Sequence, residues 1–306
     1  MNSLVYQIQY SDEIIGEFDP AFLRYDCRDN PEPDEREVAH MLRFYSEGSW
    51  RLSNIRYFGL VSPKFTSKTG ISGQTFIDWI DANPGYDVYF INPFPQLIYW
   101  HYNVWTQGEF WHPGLSDLAN ALFDSAGIDV QIQYLPRNTA ATVLYSNYWV
   151  GNEKFWHEYM TFLNKFVAAI EHLDESSRKK LYELAPHYAP ATYFPFIFER
   201  LFSTFLILNE EIASLPYIYG FDEILNRCSN DMERFIVREW GGMIDRWDAL
   251  RRNDLEYRKI LLNICGMLMV YQTYHTRDGA EVFSLYDECS GLIAGLKRKL
   301  SKFLHC

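Results

Sequence analysis

Hydrophobic and polar positions alternate from Leu4 to Tyr10, LVYQIQY, the period-two pattern of a first strand. Two apolar runs, Tyr57 to Val61 and Asp87 to Ile91, predict buried strands whose carboxyl ends open into Pro-containing loops carrying Lys64 and Asn92. Between them, SKTGISGQTFIDWIDANPGYD predicts a helix. Ser72 is its N-cap, Phe76, Ile77, Trp79 and Ile80 form its apolar side, and Asn83-Pro84-Gly85 stops it. A strand–helix–strand crossover normally joins parallel strands, so the two carboxyl ends should point the same way. In open α/β sheets ligands bind at such ends, where loops converge over a crevice.

The remaining pattern is consistent with that unit. Residues 18–37 predict a Pro-rich acidic loop leading into a helix from Glu35 to Tyr45, with Val38, Met41, Leu42 and Tyr45 on one face. A helix from Leu115 to Ser125 is closed by Gly127. Asp129 to Leu135 alternates like a strand or hairpin arm. Ala141 to Val150 predicts another strand, and an amphipathic helix runs from Glu153 to about Leu173. From Ser176 onward the pattern is helical near residues 177–185, 194–213, 221–238, 253–275 and 280–304, with no strand signal after Val150. This shift predicts an α/β domain over residues 1–215 and a helical appendage over 216–306.

Composition narrows the classes of function. A net charge of −12 argues against a general nucleic-acid binder, which needs clustered Lys and Arg, but leaves room for a local positive pocket that takes one diphosphate. With 22 Phe, 22 Tyr and 9 Trp the chain is rich in rings for a core, and Tyr and Trp also stack on sugars and bases. Five scattered cysteines without a C-x-x-C pair fit reduced thiols better than disulfides or a zinc site. The amino terminus lacks the pattern of a signal peptide, and no window nears the ~18 apolar residues of a membrane span. The expectation is a cytoplasmic protein.

The order of four motifs resembles a group of bacterial capsule and O-antigen glycosyltransferases with the GT-A, or nucleotide-diphospho-sugar transferase, fold. The first is Gly59-Leu60-Val61-Ser62-Pro63-Lys64-Phe65, at the end of a strand. The second is Asp87-Val88-Tyr89-Phe90-Ile91-Asn92-Pro93, with a small departure in spacing. The third is Ser146-Asn147-Tyr148-Trp149-Val150-Gly151, running into Phe155, Tyr159 and Phe162-Leu163. The fourth is Glu199-Arg200-Leu201. Each is weak alone; the resemblance, carried by their order, covers roughly residues 1 to 215. The resemblance implies an α/β fold with a GT-A-like, Rossmann-type mixed sheet flanked by helices. It also implies transfer of a sugar from a nucleotide-diphosphate donor, expected to be a UDP-sugar, to a saccharide or lipid-linked saccharide acceptor.

Such transfer needs charge neutralisation on the leaving diphosphate, and many GT-A enzymes use a divalent metal held by Asp-x-Asp. The chain contains no Asp-x-Asp; Ser62-Pro63-Lys64 stands at the corresponding strand end. No metal and no resident cofactor are therefore expected, the nucleotide-sugar being a substrate. Lys64, helped by Lys68, is the candidate for the charge that a metal would otherwise supply, against the plainer reading of a solvated loop lysine. Ser62, Asn92 and Asp87 complete the donor-side candidates, although Asp87, at the start of its strand, also suits a structural role.

Two acids are candidate catalytic bases. Glu199 sits in YFPFIFERLF, an apolar setting that favours a general base, or else it forms an ion pair that anchors the helix. Glu109, in QGEFWHPG, joins His112 and Trp111 in an acceptor-sugar platform, or that stretch is a turn with Pro113 at the first helical position. Asn147 and Tyr148 are the other acceptor-side candidates; Asn152 suits an N-cap.

The final stretch, GLIAGLKRKLSKFLHC, sets Leu292, Ile293, Leu296, Leu300, Phe303 and Leu304 against Lys297, Arg298, Lys299 and Lys302. It suits peripheral contact with the inner face of the cytoplasmic membrane, or packing in its own bundle or in self-association. Against the enzyme stands a second class, a non-catalytic saccharide-binding or scaffold module on a degenerate transferase fold.

Overall fold

In the computed structural model, residues 2–12, 18–48, 55–186 and 190–275 are described. The chain divides into two compact units. One comprises Met1–Ile98 and Tyr102–Arg227, the other Tyr99–His101 and Cys228–Cys306.

The first unit is built on β1 (Ser3–Gln9), β2 (Leu23–Asp26), β3 (Tyr57–Val61), β4 (Val88–Phe90), β5 (Trp149–Gly151) and β6 (Ser214–Pro216). These form one sheet in the order β2-β1-β3-β5-β4-β6. β1 pairs in parallel with β2 and β3, and β4 in parallel with β6; β5 runs antiparallel to both β3 and β4. β3 and β4 therefore point the same way, as the crossover predicts, with β5 inserted between them. The fold is α/β with a six-stranded mixed sheet flanked by helices.

Its helices are α1 (Glu37–Glu47), α2 (Phe65–Thr69), α3 (Gly73–Ala82), α4 (Val104–Trp111), α5 (Leu115–Ser125), α6 (Glu153–Ala169), α7 (Glu175–Leu181), α8 (Tyr193–Leu208) and α9 (Phe221–Asn226). Alternation along the strands supplies both faces of the sheet. Tyr57, Val61, Tyr89, Ile91, Tyr148 and Val150 pack with Phe65, Phe76, Ile77 and Ile80 of α2 and α3. On the opposite face Trp149 lies 4.5 Å from Trp156 of α6, Phe90 lies 5.3 Å from Phe202 of α8, and the Trp156 indole donates to Phe58 O. Covered on both sides, these strands are apolar throughout, which explains the heavy aromatic content.

Local signals set several boundaries. Ser72 caps α3 by accepting from Thr75 N at 3.1 Å, and Asn152 caps α6 by accepting from Phe155 N at 2.9 Å. Other expectations are corrected. The loop expected before α1 contains β2, an exposed edge strand of four residues. Asp129 to Leu135 holds a 3-10 turn, Ile132–Tyr134, whose first N–H is taken by Asn120 Oδ1. A short strand, β6, exists after Val150. Pro113 precedes the N-cap Gly114 of α5 and so lies outside the helix.

The second unit contains α10 (Asp231–Ala249) and α11 (Leu255–His275), the first capped by Asn230, whose side chain accepts from Glu233 N. A single helix over 221–238 is thus two helices, α9 and α10. The segment 280–304, with its basic amphipathic pattern, lies outside the described residues. Among the described residues no helix is long and apolar enough to cross a membrane.

Candidate functional site

β5 runs against its neighbours, so its amino end lies beside the carboxyl ends of β3 and β4. The segment that enters β5, residues 141–148, therefore lies at the edge where the loops after β3 and β4 emerge. It is a non-strand loop, buried from Val143 onward, and its buried backbone donors need partners. Three consecutive N–H groups find them on side chains distant in sequence. Leu144 N donates to Ser203 Oγ at 2.8 Å, Tyr145 N to Asn92 Oδ1 at 3.3 Å, and Ser146 N to Glu199 Oε1 at 2.5 Å. Ser146 has φ of +68°, a left-handed conformation that is uncommon for a residue with a side chain.

Polar groups continue from this loop. Lys68 Nζ donates to Ser146 Oγ at 3.0 Å and lies 5.9 Å from the Phe94 ring centre. Ser62 Oγ and the Tyr148 hydroxyl are 3.1 Å apart. Burial pushes the Tyr148 phenol up, partly offset by its hydrogen bond with Ser62, so it stays a neutral hydroxyl. On the far side of Ser62, Gln7 Nε2 donates to Pro63 O at 3.0 Å and Gln7 Oε1 accepts from Asp19 N at 2.9 Å. These bonds pin β1 to the loop after β3 where the strand order reverses.

Six of the sequence candidates meet here: Ser62, Lys64, Asn92, Asn147, Tyr148 and Glu199. Lys64 is the N-cap residue of α2, exposed, and its ammonium has no partner among the described residues. Lys68, one helical turn on, is the better-held cation. Glu199 does not pair with Arg200. The Arg200 guanidinium is buried and donates to Val104 O, Phe196 O and Gln107 Oε1, tying α8 to α4. Arg227 clamps the loops from below, donating to Lys68 O, Thr69 O and Pro93 O and lying 4.3 Å from the Tyr219 ring centre. It was not among the sequence candidates, because nothing local to Asn226-Arg227-Cys228, at a helix end, distinguishes a clamp from a solvated arginine.

Two amide atoms in the cluster stand out. Asn92 Nδ2 and Asn147 Oδ1 are buried without a hydrogen-bond partner among the described residues, on residues 7 % and 8 % exposed. Orphaned buried polar atoms are uncommon and costly.

Four candidates lie elsewhere. Asp87 stands at the amino end of β4, the opposite edge of the sheet. It accepts from Asn152 Nδ2 at 2.8 Å, Ala213 N at 3.0 Å and Lys154 Nζ at 3.1 Å, so it joins the start of α6 to the sheet and cannot touch a donor at the carboxyl edge. Burial raises the Asp87 carboxyl, but these bonds outweigh it and hold it below the usual range. Glu109 is a helix-capping acid: its two oxygens accept from Gly114 N and Ser116 N, each at 2.8 Å, at the start of α5. His112 Nδ1 lies 2.8 Å from Pro186 O, and its ring stacks on Phe196 at 3.7 Å, one helical turn before Glu199 on α8. Trp111 is 45 % exposed and meets Phe110 edge-on.

Other polar groupings are self-contained. Asp12, Asp26, Arg28, Asp29 and Arg43 line a shallow depression near the ends of β1 and β2, and its charges pair with one another. Among the described residues no group of three or more His, Cys, Asp or Glu side chains is placed to hold a metal ion.

Chemically, the carboxyl edge offers two cations one turn apart, a carboxylate with one oxygen committed and one not, and hydroxyl and amide groups between them. No family model, no curated protein and no solved structure matches this chain.

Proposed function

We propose that the protein is a glycosyltransferase that moves a sugar from a nucleotide-diphosphate donor, a UDP-sugar, to a saccharide or lipid-linked saccharide of a bacterial capsule or O-antigen. The reading rests on the ordered motifs and on a six-stranded mixed sheet flanked by helices, the general class to which a GT-A domain belongs. One observation carries it: Lys68 and Glu199 both bond to Ser146, one at its hydroxyl and one at its N–H, at the carboxyl edge between β3 and β4. A cation and a carboxylate separated by a small polar residue are the two charges that transfer requires.

In this reading the diphosphate lies over α2. Lys68, assisted by Lys64, stabilises the negative charge that develops as the bond from the anomeric carbon to the phosphate oxygen breaks and the electron pair leaves with the diphosphate. In an inverting course the acceptor hydroxyl attacks the anomeric carbon and its proton passes to Glu199 Oε2, the oxygen not engaged by Ser146 N. His112, stacked on Phe196 one helical turn before Glu199, and its neighbour Trp111 lie outside this cluster and are assigned to more distant parts of the acceptor. The cations replace an Asp-x-Asp metal. Acceptors on lipid carriers place the work at the inner face of the cytoplasmic membrane.

A second reading, a non-catalytic saccharide-binding module, is favoured by one feature. Glu199 and Asn92 each use a side-chain oxygen to hold the loop before β5, which a purely structural role would also explain. A donor-hydrolysis screen across nucleotide sugars, run in excess chelator, separates the two. Turnover that persists in chelator and collapses in Lys68→Ala supports the transferase; no hydrolysis of any donor supports the module.

A further inference from the structure

We infer that Asn92 and Asn147 together read a single hydroxyl of the donor sugar, which accepts from Asn92 Nδ2 and donates to Asn147 Oδ1. This inference rests on the donor-binding reading above and adds to it the group on the sugar that is recognised.

The placement follows from the β4–β5 register. Val88 pairs with Gly151, Tyr89 with Val150 and Phe90 with Trp149. Ile91 N continues the ladder by donating to Tyr148 O at 3.0 Å. The ladder ends there, and Asn92 and Asn147, the next residue on each side, lie on the two segments that leave it. The Asn92 side chain reaches this loop, since its Oδ1 accepts from Tyr145 N.

The orientation of the Asn92 amide is fixed. Its oxygen accepts two backbone N–H groups, Phe94 N at 3.2 Å and Tyr145 N at 3.3 Å, so the nitrogen is the atom left over. A backbone N–H cannot accept from it. The orphan in Asn147 is an acceptor. One donor and one acceptor facing the same loop cannot both be satisfied by a cation, a carboxylate or a phosphate. A group that accepts and donates at once satisfies both, a water in the free protein and a sugar hydroxyl that displaces it when donor binds. Both residues are buried, at 7 % and 8 % exposed, so an entering hydroxyl must be met by a turn of the Asn147 amide about its broad sp³–sp² torsion. Lys68 and Glu199 reach the same loop, so a sugar hydroxyl held here lies beside the charges assigned to the leaving group and the acceptor.

A site built to bond a hydroxyl rejects ligands that lack it, because its own buried groups are then unpaired. The test is calorimetric titration of the full chain with UDP, UDP-galactose and UDP-glucose, on wild type and on Asn147→Leu, together with the melting temperature of each protein without ligand. Wild type should bind at least one of the two UDP-hexoses at least tenfold more tightly than UDP. Asn147→Leu should lose that gain while its UDP affinity stays within about twofold. It should also melt no lower than wild type, since the buried acceptor it replaces is held only by a water, which an apolar group of similar size releases. A lower melting temperature, an unchanged preference for hexose, or UDP and hexose affinities that fall together would each overturn the hydroxyl assignment while leaving donor binding in place. No binding of UDP by wild type would overturn both.

Discussion

The backbone N–H of Ser146 donates to Glu199 Oε1 at 2.5 Å, which fixes a left-handed residue of one loop to a helix 53 positions away. The same contact bears on whether Ser146 is a nucleophile beside Lys68. In acyl transfer the nucleophile's own N–H commonly serves the oxyanion, and here it is already taken. The Ser–Lys contact is better explained as a tether for Lys68.

Glu199→Gln keeps an oxygen for Ser146 N and removes the base. Turnover should fall by about 10²–10⁴-fold with nucleotide affinity retained. Glu199→Ala should lose both turnover and loop order, seen as a lower melting temperature than Glu199→Gln. Equal turnover in wild type and Glu199→Gln would exclude Glu199 as base.

Lys64 and Lys68 lie one turn apart, but only Lys68 is held, by Ser146 and Phe94. In titrations with a nucleoside diphosphate, Lys68→Ala should weaken binding by about tenfold or more, as loss of a charge-assisted hydrogen bond does. Lys64→Ala should weaken it less, with the loss growing as salt is lowered. The reverse order would return the principal role to Lys64.

Asp87 holds the start of α6 and the start of β6 to the sheet, and Asp87→Asn should cost about 1–3 kcal/mol at neutral pH. Because its folded pKa is depressed, its contribution is present above the unfolded value of about 3.9 and lost as the pH falls through the folded value. Denaturant melts of wild type and Asp87→Asn should therefore differ most above about pH 5 and converge in acid, with donor binding at neutral pH unchanged.

Gly59 is needed for packing. A Cβ there would meet Val150 Cγ2 at 2.6 Å and Trp149 O at 3.0 Å, so Val150 or β5 would have to shift away from β3. Gly59→Ala should cost about 1–3 kcal/mol in chemical denaturation.

Much of this was legible in the sequence where local pattern and tertiary environment agree. The buried runs at Tyr57–Val61 and Val88–Phe90, the Ser72 and Asn152 caps and the parallel direction of β3 and β4 are such cases. The failures share one cause, partners distant in sequence. Val143 to Tyr148 is buried like a strand, yet side chains of Ser203, Asn92 and Glu199 take the N–H groups that a neighbouring strand would have taken. β2 carries charged and exposed positions as an edge strand does, so no alternation announced it. Within the site, residue types named Lys64, Asn92, Asn147 and Glu199. The antiparallel course of β5, which brings Asn147 to the carboxyl edge and leaves Asn152 with Asp87 at the other, had no local signature.

The central claim, that the carboxyl edge between β3 and β4 receives a nucleoside diphosphate on lysine rather than metal, is tested most directly by calorimetric titration. UDP, GDP and CDP are each titrated in EDTA into wild type and into Lys64→Ala/Lys68→Ala. Saturable binding of one diphosphate to wild type, lost or weakened by at least about tenfold in the double variant, is the predicted result. No binding at millimolar ligand, or binding that the double variant retains in full, would contradict it.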